Sequence, residues 1–196
     1  MKTKNIQRVA LVGGGVIGSG WATRCLAHGL SVVVTDPSPA AAEMVLKTVD
    51  SAWPILEEAG LDENADRSKL EFAPDIETAV ADADFVQENV PEREDLKIAV
   101  HEEIGRHAKG DIVVASSSSG LLPSRLQSRC RTPERLVIGH PFAPVYLLPL
   151  VEVVGGEQTS LEFVRAAGAF YREIGMRPLH VRKEVEAYIA DRLQES

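Results

Sequence analysis

Cysteine is scarce in this 196-residue chain, which holds only Cys25 and Cys130. No CxxC pair is possible at that separation, so neither a disulfide framework nor a cysteine-based zinc site is expected. The histidines offer no metal site either, because none sits at ligand spacing from another. Positive charge is in deficit: 21 Lys+Arg against 29 Asp+Glu leaves −8. With no basic cluster, nucleic acid and anionic lipid surfaces are poor partners for this chain. No apolar run approaches the ~18 residues of a membrane span. Lys2, Lys4 and Arg8 before the apolar run from Val9 resemble a signal-peptide start. Glycines from Gly13 to Gly20 break that run and no A-x-A site follows, so a cytoplasmic, reduced setting is expected.

What remains is a sizeable core, 44% hydrophobic, with strand and helix patterns in alternation. Strands are predicted at Arg8–Val12, Ser31–Thr35, Leu70–Ala73, Asp84–Glu88, Asp111–Ser116, Arg135–Gly139, Leu150–Val154 and Pro178–Val181. Helical periodicity fills Val16–His28, Pro39–Leu56, Ile76–Ala81, Glu92–Ala108, Pro123–Cys130 and Leu161–Ile174. This order predicts an α/β fold, Rossmann-like and doubly wound, with a mostly parallel sheet. Ser38 is expected to cap the second helix and Gly29 to stop the first. Thr159 and Glu162 read as a capping box, and Pro54 should end or kink its helix. Glu57–Asp66, with five acids and no base, reads as a solvated loop or helix tip. Lys183–Ser196 reads as the start of a helix, with Tyr188, Ile189 and Leu193 forming an apolar edge left bare for self-association.

Gly13-x-Gly15-x-x-Gly18 follows a strand, opens a helix and precedes a second strand ending at Asp36. In that context the glycines allow a tight turn on which a pyrophosphate rests at the helix N-terminus. Gly13, Gly15, Val16, Ile17 and Gly18 are therefore candidate cofactor residues. Asp36, 18 residues after Gly18, is placed to accept bonds from ribose hydroxyls, and no arginine follows it at once. NAD is favoured over NADP.

His140 leaves a strand for the loop His-Pro-Phe-Ala-Pro, at the edge where parallel sheets bind ligands. It suits a general base, and a satisfied structural histidine fits equally. Glu152 interrupts an otherwise apolar strand. It is either a buried carboxylate orienting His140 or an outward-facing acid on an edge strand. Ser116–Ser119 lack the glycine of a hydrolase elbow and leave two readings, a polar loop or a hydroxyl donor to substrate. Glu88 and Glu92 are surface charges or ribose contacts.

These motifs, in order and over essentially the whole chain, resemble the 3-hydroxyacyl-CoA dehydrogenase superfamily. They are the glycine turn, Asp36, Val90-Pro91-Glu92 with Lys97, the serine run before Gly120, His140-Pro, and Pro149-Leu-Val-Glu152. Gly120-Leu-Leu-Pro-Ser, the stretch from His140 to Glu152, and Trp21 are most similar to the branch that acts on L-carnitine. The resemblance implies that His140 is the base, Glu152 its partner and Ser119 the hydroxyl that binds the substrate oxygen. Glu92, Lys97 and Ser119 would border the NAD. It also implies a Rossmann-like domain over residues 1–182 and, from 183 to 196, the start of a helical domain otherwise absent. A homodimer is implied for the full-length protein.

Two departures are visible: Ala143 and Asp191 stand where the family usually carries Asn. The acids of Glu57–Asp66 would repel coenzyme A and favour a cation, whose trimethylammonium head would rest on Phe142 or Tyr146. The expected reaction is therefore NAD-dependent oxidation of a secondary alcohol, with L-carnitine as the small-molecule substrate. Rival readings are a 3-hydroxyacyl-CoA or L-gulonate-type dehydrogenase, and an NAD-binding module without turnover.

Overall fold

The computed structural model describes residues 6–188. Its sheet is built in chain order from β1 (Arg8–Val12), β2 (Ser31–Thr35), β3 (Leu70–Phe72), β4 (Phe85–Glu88) and β5 (Val113–Ser116), then β6 (Leu136–Pro141), β7 (Leu150–Gly155) and β8 (Arg177–Val181). The helices are α1 (Val16–Ala27), α2 (Ala40–Ala59), α3 (Ile76–Val80), α4 (Glu94–His107), α5 (Pro123–Leu126) and α6 (Leu161–Glu173). The strands form one sheet in the order β3-β2-β1-β4-β5-β6-β7-β8. All neighbours run parallel except β6 and β7. The chain builds outward one way from β1 and then restarts on its other side with β4, so a switch point lies between them.

Both sheet faces are covered, and strand alternation decides which side chain meets which helices. Val9 and Leu11 join Val32, Val34 and Phe85 against Trp21, Phe170 and Tyr171 of α1 and α6. Ala10, Val12, Val33 and Val86 face α3 and α4, where Val80 and Ile104 pack. The same alternation continues at the end of β4. There Gln87 is bonded to Tyr171 of α6, and Glu88 to His101 of α4.

Several local expectations shift. Helix α2 starts at Ala40 after Pro39, and Ser38 provides no side-chain cap. Pro54 does not end α2; it lies on the exposed side of the helix, where water reaches the carbonyl it leaves free. The cap of α6 is Ser160, whose side chain accepts from Glu162 N, whereas Thr159 Oγ1 donates to the Leu136 carbonyl. Gly29, at φ +78°, ends α1 as expected. Strand β6 continues through His140 and Pro141 because the antiparallel partner β7 extends the ladder, so His140 is a strand residue. Ile189, Asp191 and Leu193 lie outside the described residues. Tyr188 is not bare: it is fully buried with Leu126, Leu136 and Ile138, and its hydroxyl donates to Leu121 O at 2.8 Å. No helix among the described residues is long and apolar enough to cross a membrane.

Gly139 shows how closely the core is fitted. A Cβ there would lie 1.9 Å from the Tyr171 hydroxyl. Gly139→Ala is expected to destabilise the chain by ~1–3 kcal/mol through overpacking, measured by urea unfolding. An unchanged midpoint would show that Tyr171 yields freely.

Candidate active site

The first turn of the site is dictated by close approach. Gly13 has φ +102°, and a Cβ on it would come 2.8 Å from the Asn89 carbonyl. On Gly18, a Cβ would fall 1.9 Å from Gly13 O, so α1 packs onto the turn only with glycine there. At Gly15 a Cβ would meet nothing within 4 Å, since that backbone opens onto a cleft. No side chain caps α1, and its first turn carries no acid. Its N-terminal amides and dipole are thus available to an anion.

The cleft has a volume of about 840 Å³ and crosses the carboxyl ends of five strands, from Asp36 after β2 to Ser119 and His140 beyond β5 and on β6. Four strand spacings make roughly 19 Å, an elongated shape that suits a dinucleotide. Asp36 is held by two backbone donors, Gly14 N to Oδ2 and Ser38 N to Oδ1, both at 2.8 Å. It lines the cleft at the β2 end. Gly13, Gly15, Val16, Ile17, Asp36 and Glu92 line this space, whereas Gly18 lies beneath it.

At the other end, His140 and Glu152 are register partners on β6 and β7. His140 Nδ1 lies 2.9 Å from Glu152 Oε2, and the Glu152 side chain is 1% exposed. Because β8 flanks β7, Glu152 is not an outward acid on an edge. A carboxylate there can only accept, so the arrangement favours the tautomer with its proton on Nδ1 and a lone pair on Nε2. Ser119, lining the same cleft, hangs from Glu92: Oε1 accepts from Ser119 N at 3.1 Å, from Gly120 N at 3.2 Å and from the Ser118 hydroxyl.

Lys97 does not line the cleft. It is 1% exposed, and its Nζ donates to Glu88 Oε1 at 2.7 Å and Val90 O at 3.0 Å, with Glu92 Oε2 at 3.4 Å. Glu88, neither a surface charge nor a ribose contact, also accepts from Ser116 Oγ at 2.6 Å and Val90 N at 2.7 Å. His101 Nε2 completes its shell at 3.1 Å. Burial by itself would raise the Glu88 pKa; the His101 bond and the Lys97 charge outweigh it and hold the carboxyl at about 2. Sequence reasoning did not bring this cluster together. The available signal was a Gln-Glu pair closing an apolar central strand, where polar groups must be buried and bonded.

The two aromatic candidates part company in the fold. Phe142 stands 5.9 Å from His140, ring to ring, whereas Tyr146 lines a separate hollow with Ala143, Met44 and Thr48. Tyr188 is the other ring near His140, at 6.2 Å. The acidic loop is also misplaced for its expected role. Asp62 N donates to Ala27 O, and Lys69 Nζ to Gly29 O, so the loop packs on the C-terminal end of α1, opposite the cleft. Its charge reaches a substrate at His140 only weakly across that distance. Both cysteines are protonated: burial pushes Cys25 up to about 12 and Cys130 up to about 11.

The glycine turn, Asp36 and the paired histidine define the class, and residues 8–185 match the family described as "3-hydroxyacyl-CoA dehydrogenase, NAD binding domain". The chain belongs to this family. Among its relatives are the L-carnitine dehydrogenases of Burkholderia mallei, 56% identical over 191 residues, and Bacillus cereus, 50% identical over 196. The alignments cover 97% and 100% of this chain but 60% of each relative, so the chain spans about three-fifths of their length. A crystal structure of 5-formyl-3-hydroxy-2-methylpyridine 4-carboxylic acid 5-dehydrogenase superposes with a TM-score of 0.90 at 34% identity. It covers 97% of this chain and 62% of that one.

Proposed function

We propose that this chain is the cofactor half of an NAD-dependent dehydrogenase that oxidises the secondary alcohol of L-carnitine. The observation that carries the reading is the His140–Glu152 pair, at 2.9 Å, in the cleft that the glycine turn opens. Bound NAD would accept the hydride from the alcohol carbon. Glycine-turn amides and Asp36 bind and orient the dinucleotide. Ser119 holds the alcohol oxygen, and His140 Nε2 removes its proton. Glu152 keeps Nδ1 protonated and stabilises the imidazolium that results. Phe142, beside His140, offers a ring face to the trimethylammonium group, worth ~0.5–2 kcal/mol.

The carnitine assignment is supported by the relatives' names together with Phe142, and no longer by the acidic loop. The relatives are longer than this chain, and on this reading the rest of the active site, a second cleft wall and a homodimer contact would come from the part of their length that it does not span. Free, protonated cysteines fit a reducing cytoplasm. One observation favours the rival reading of a binding module without turnover: Ala143 leaves the loop after His140 without an amide.

Two measurements test the proposal. Asp36→Ala in the 196-residue chain is expected to weaken NADH by ~1–3 kcal/mol and to narrow the preference over NADPH, read by fluorescence titration. Equal affinity for both cofactors in the parent chain contradicts the NAD assignment. For turnover, the longer protein is assayed with L-carnitine, 3-hydroxybutyryl-CoA and L-gulonate in parallel. Faster oxidation of the CoA ester overturns the carnitine reading, and turnover of none of them favours the binding module.

A further inference from the structure

Beneath the cleft, on the α1/α6 side of the sheet, lies a hydrogen-bond circuit whose polarity is fully determined by its members. Gly139 O only accepts, so the Gln87 atom 3.1 Å from it is the amide nitrogen Nε2. The same nitrogen donates to Ser117 Oγ at 2.8 Å. Gln87 Oε1 then accepts from the Tyr171 hydroxyl at 2.7 Å. Burial raises the Tyr171 pKa well above the ordinary value, so that phenol keeps its proton. Trp21 Nε1, a donor only, also points at Ser117 Oγ, at 3.1 Å. A hydroxyl has two lone pairs and one proton. Gln87 and Trp21 take both lone pairs, so Ser117 must donate to Asn89 Oδ1, 2.8 Å away. Asn89 is thereby fixed in orientation, and its Nδ2 donates to the Gln87 carbonyl at 3.0 Å.

The circuit touches both ends of the chemistry. Ser117 and Asn89 line the cleft, and the Asn89 backbone abuts Gly13 of the pyrophosphate turn. The Gly139 carbonyl belongs to the peptide that carries His140. We propose that Gln87, with Trp21 as second donor, is a positioning residue that sets the polarity of the Ser117–Asn89 wall and the seat of His140. The proposal rests on the NAD-site reading above. Glutamine is required because a carboxylate of the same size would face Ser117 and Gly139 O with acceptors only. Ser117 would then turn its proton to residue 87, and Asn89 Oδ1 would lose its donor.

The test is a double-mutant cycle on NADH affinity in the 196-residue chain, with folding checked by circular dichroism. Gln87→Glu and Ser117→Ala are each expected to weaken NADH by about tenfold, and the double variant by no more than about the same factor. Trp21→Phe, which keeps a ring against Tyr171 (5.4 Å between centroids), costs about threefold and replaces Gln87→Glu in the cycle if that variant does not fold. A second readout separates positioning from mere support. Saturating NADH displaces the Trp21 indole N–H resonance in the parent, through Asn89 and Ser117, and leaves it unmoved in Gln87→Glu. Losses that multiply in the double variant, or an indole signal that responds equally in both proteins, overturn the proposal and leave the NAD site standing. A parent chain that does not bind NADH brings down the NAD-site reading, and this proposal with it.

Discussion

In the longer protein, His140→Ala is expected to slow carnitine oxidation by ~10²–10⁴-fold while NADH affinity stays near the parental value. Asp36, the glycine turn and Glu92, the proposed cofactor contacts, remain in place. On the proposed mechanism, what disappears is the acceptor for the alcohol proton. No other basic side chain stands within the substrate end of the cleft among the described residues, since Lys97 is spent on Glu88, Val90 and Glu92. Glu152→Gln should also give a large loss, because an amide no longer stabilises the imidazolium and can donate to Nδ1, leaving the ring in the wrong tautomer. The loss in His140→Ala should shrink as pH rises, because hydroxide then competes as base. Steady-state rates across pH check all three points. Turnover within a few-fold of the parent would move the base to another residue.

How much of this was legible in the sequence follows the range of each interaction. The glycine turn and Asp36 are local: strand, turn, helix and strand fall within Arg8–Asp36, and the geometry each glycine needs is set by its immediate neighbours. His140 and Glu152 are 12 positions apart, and one anomaly revealed them, an acid inside an apolar strand; their distance had to wait for the β6–β7 register. Gln87 and Glu88 were illegible as sites because adjacent strand residues face opposite ways. Gln87 finds Ser117 and Tyr171, 30 and 84 positions away, while Glu88 finds Lys97, His101 and Ser116 at 9, 13 and 28. Nothing in local spacing announces such partners. The acidic loop failed for a related reason: charge was read from the sequence, but its side of the sheet was not, and helix α1 separates it from the cleft. Tyr188 looked stranded near the chain end because its partners, Leu121, Leu126 and Leu136, come from elements 52 to 67 positions earlier.

The largest stability effect is expected at Lys97. Lys97→Met keeps the apolar stem but leaves the Glu88 carboxylate, 0% exposed, without its ammonium partner. Removing one member of a buried pair costs ~3–5 kcal/mol, because the remaining charge stays desolvated. The pH dependence identifies the cause. In the parent, Glu88 titrates near 2 when folded and near the ordinary glutamate value of 4.5 when unfolded. A depressed folded pKa contributes stability that is fully present above about 4.5 and lost as pH falls toward 2. Without Lys97 part of that contribution is lost, since the folded carboxyl keeps its His101 bond but titrates nearer its unfolded value. The gap between parent and variant should therefore be widest near neutrality and narrow as pH falls from about 4.5 toward 2. Urea unfolding of both proteins at several pH values measures it. A second consequence follows from geometry, because Lys97 also steadies Val90 and Glu92, and Glu92 carries the Ser119 amide. The folded variant should thus bind NADH more weakly although Lys97 does not line the cleft. A gap that stays constant down to low pH would assign the loss to packing and leave Glu88 without its electrostatic role.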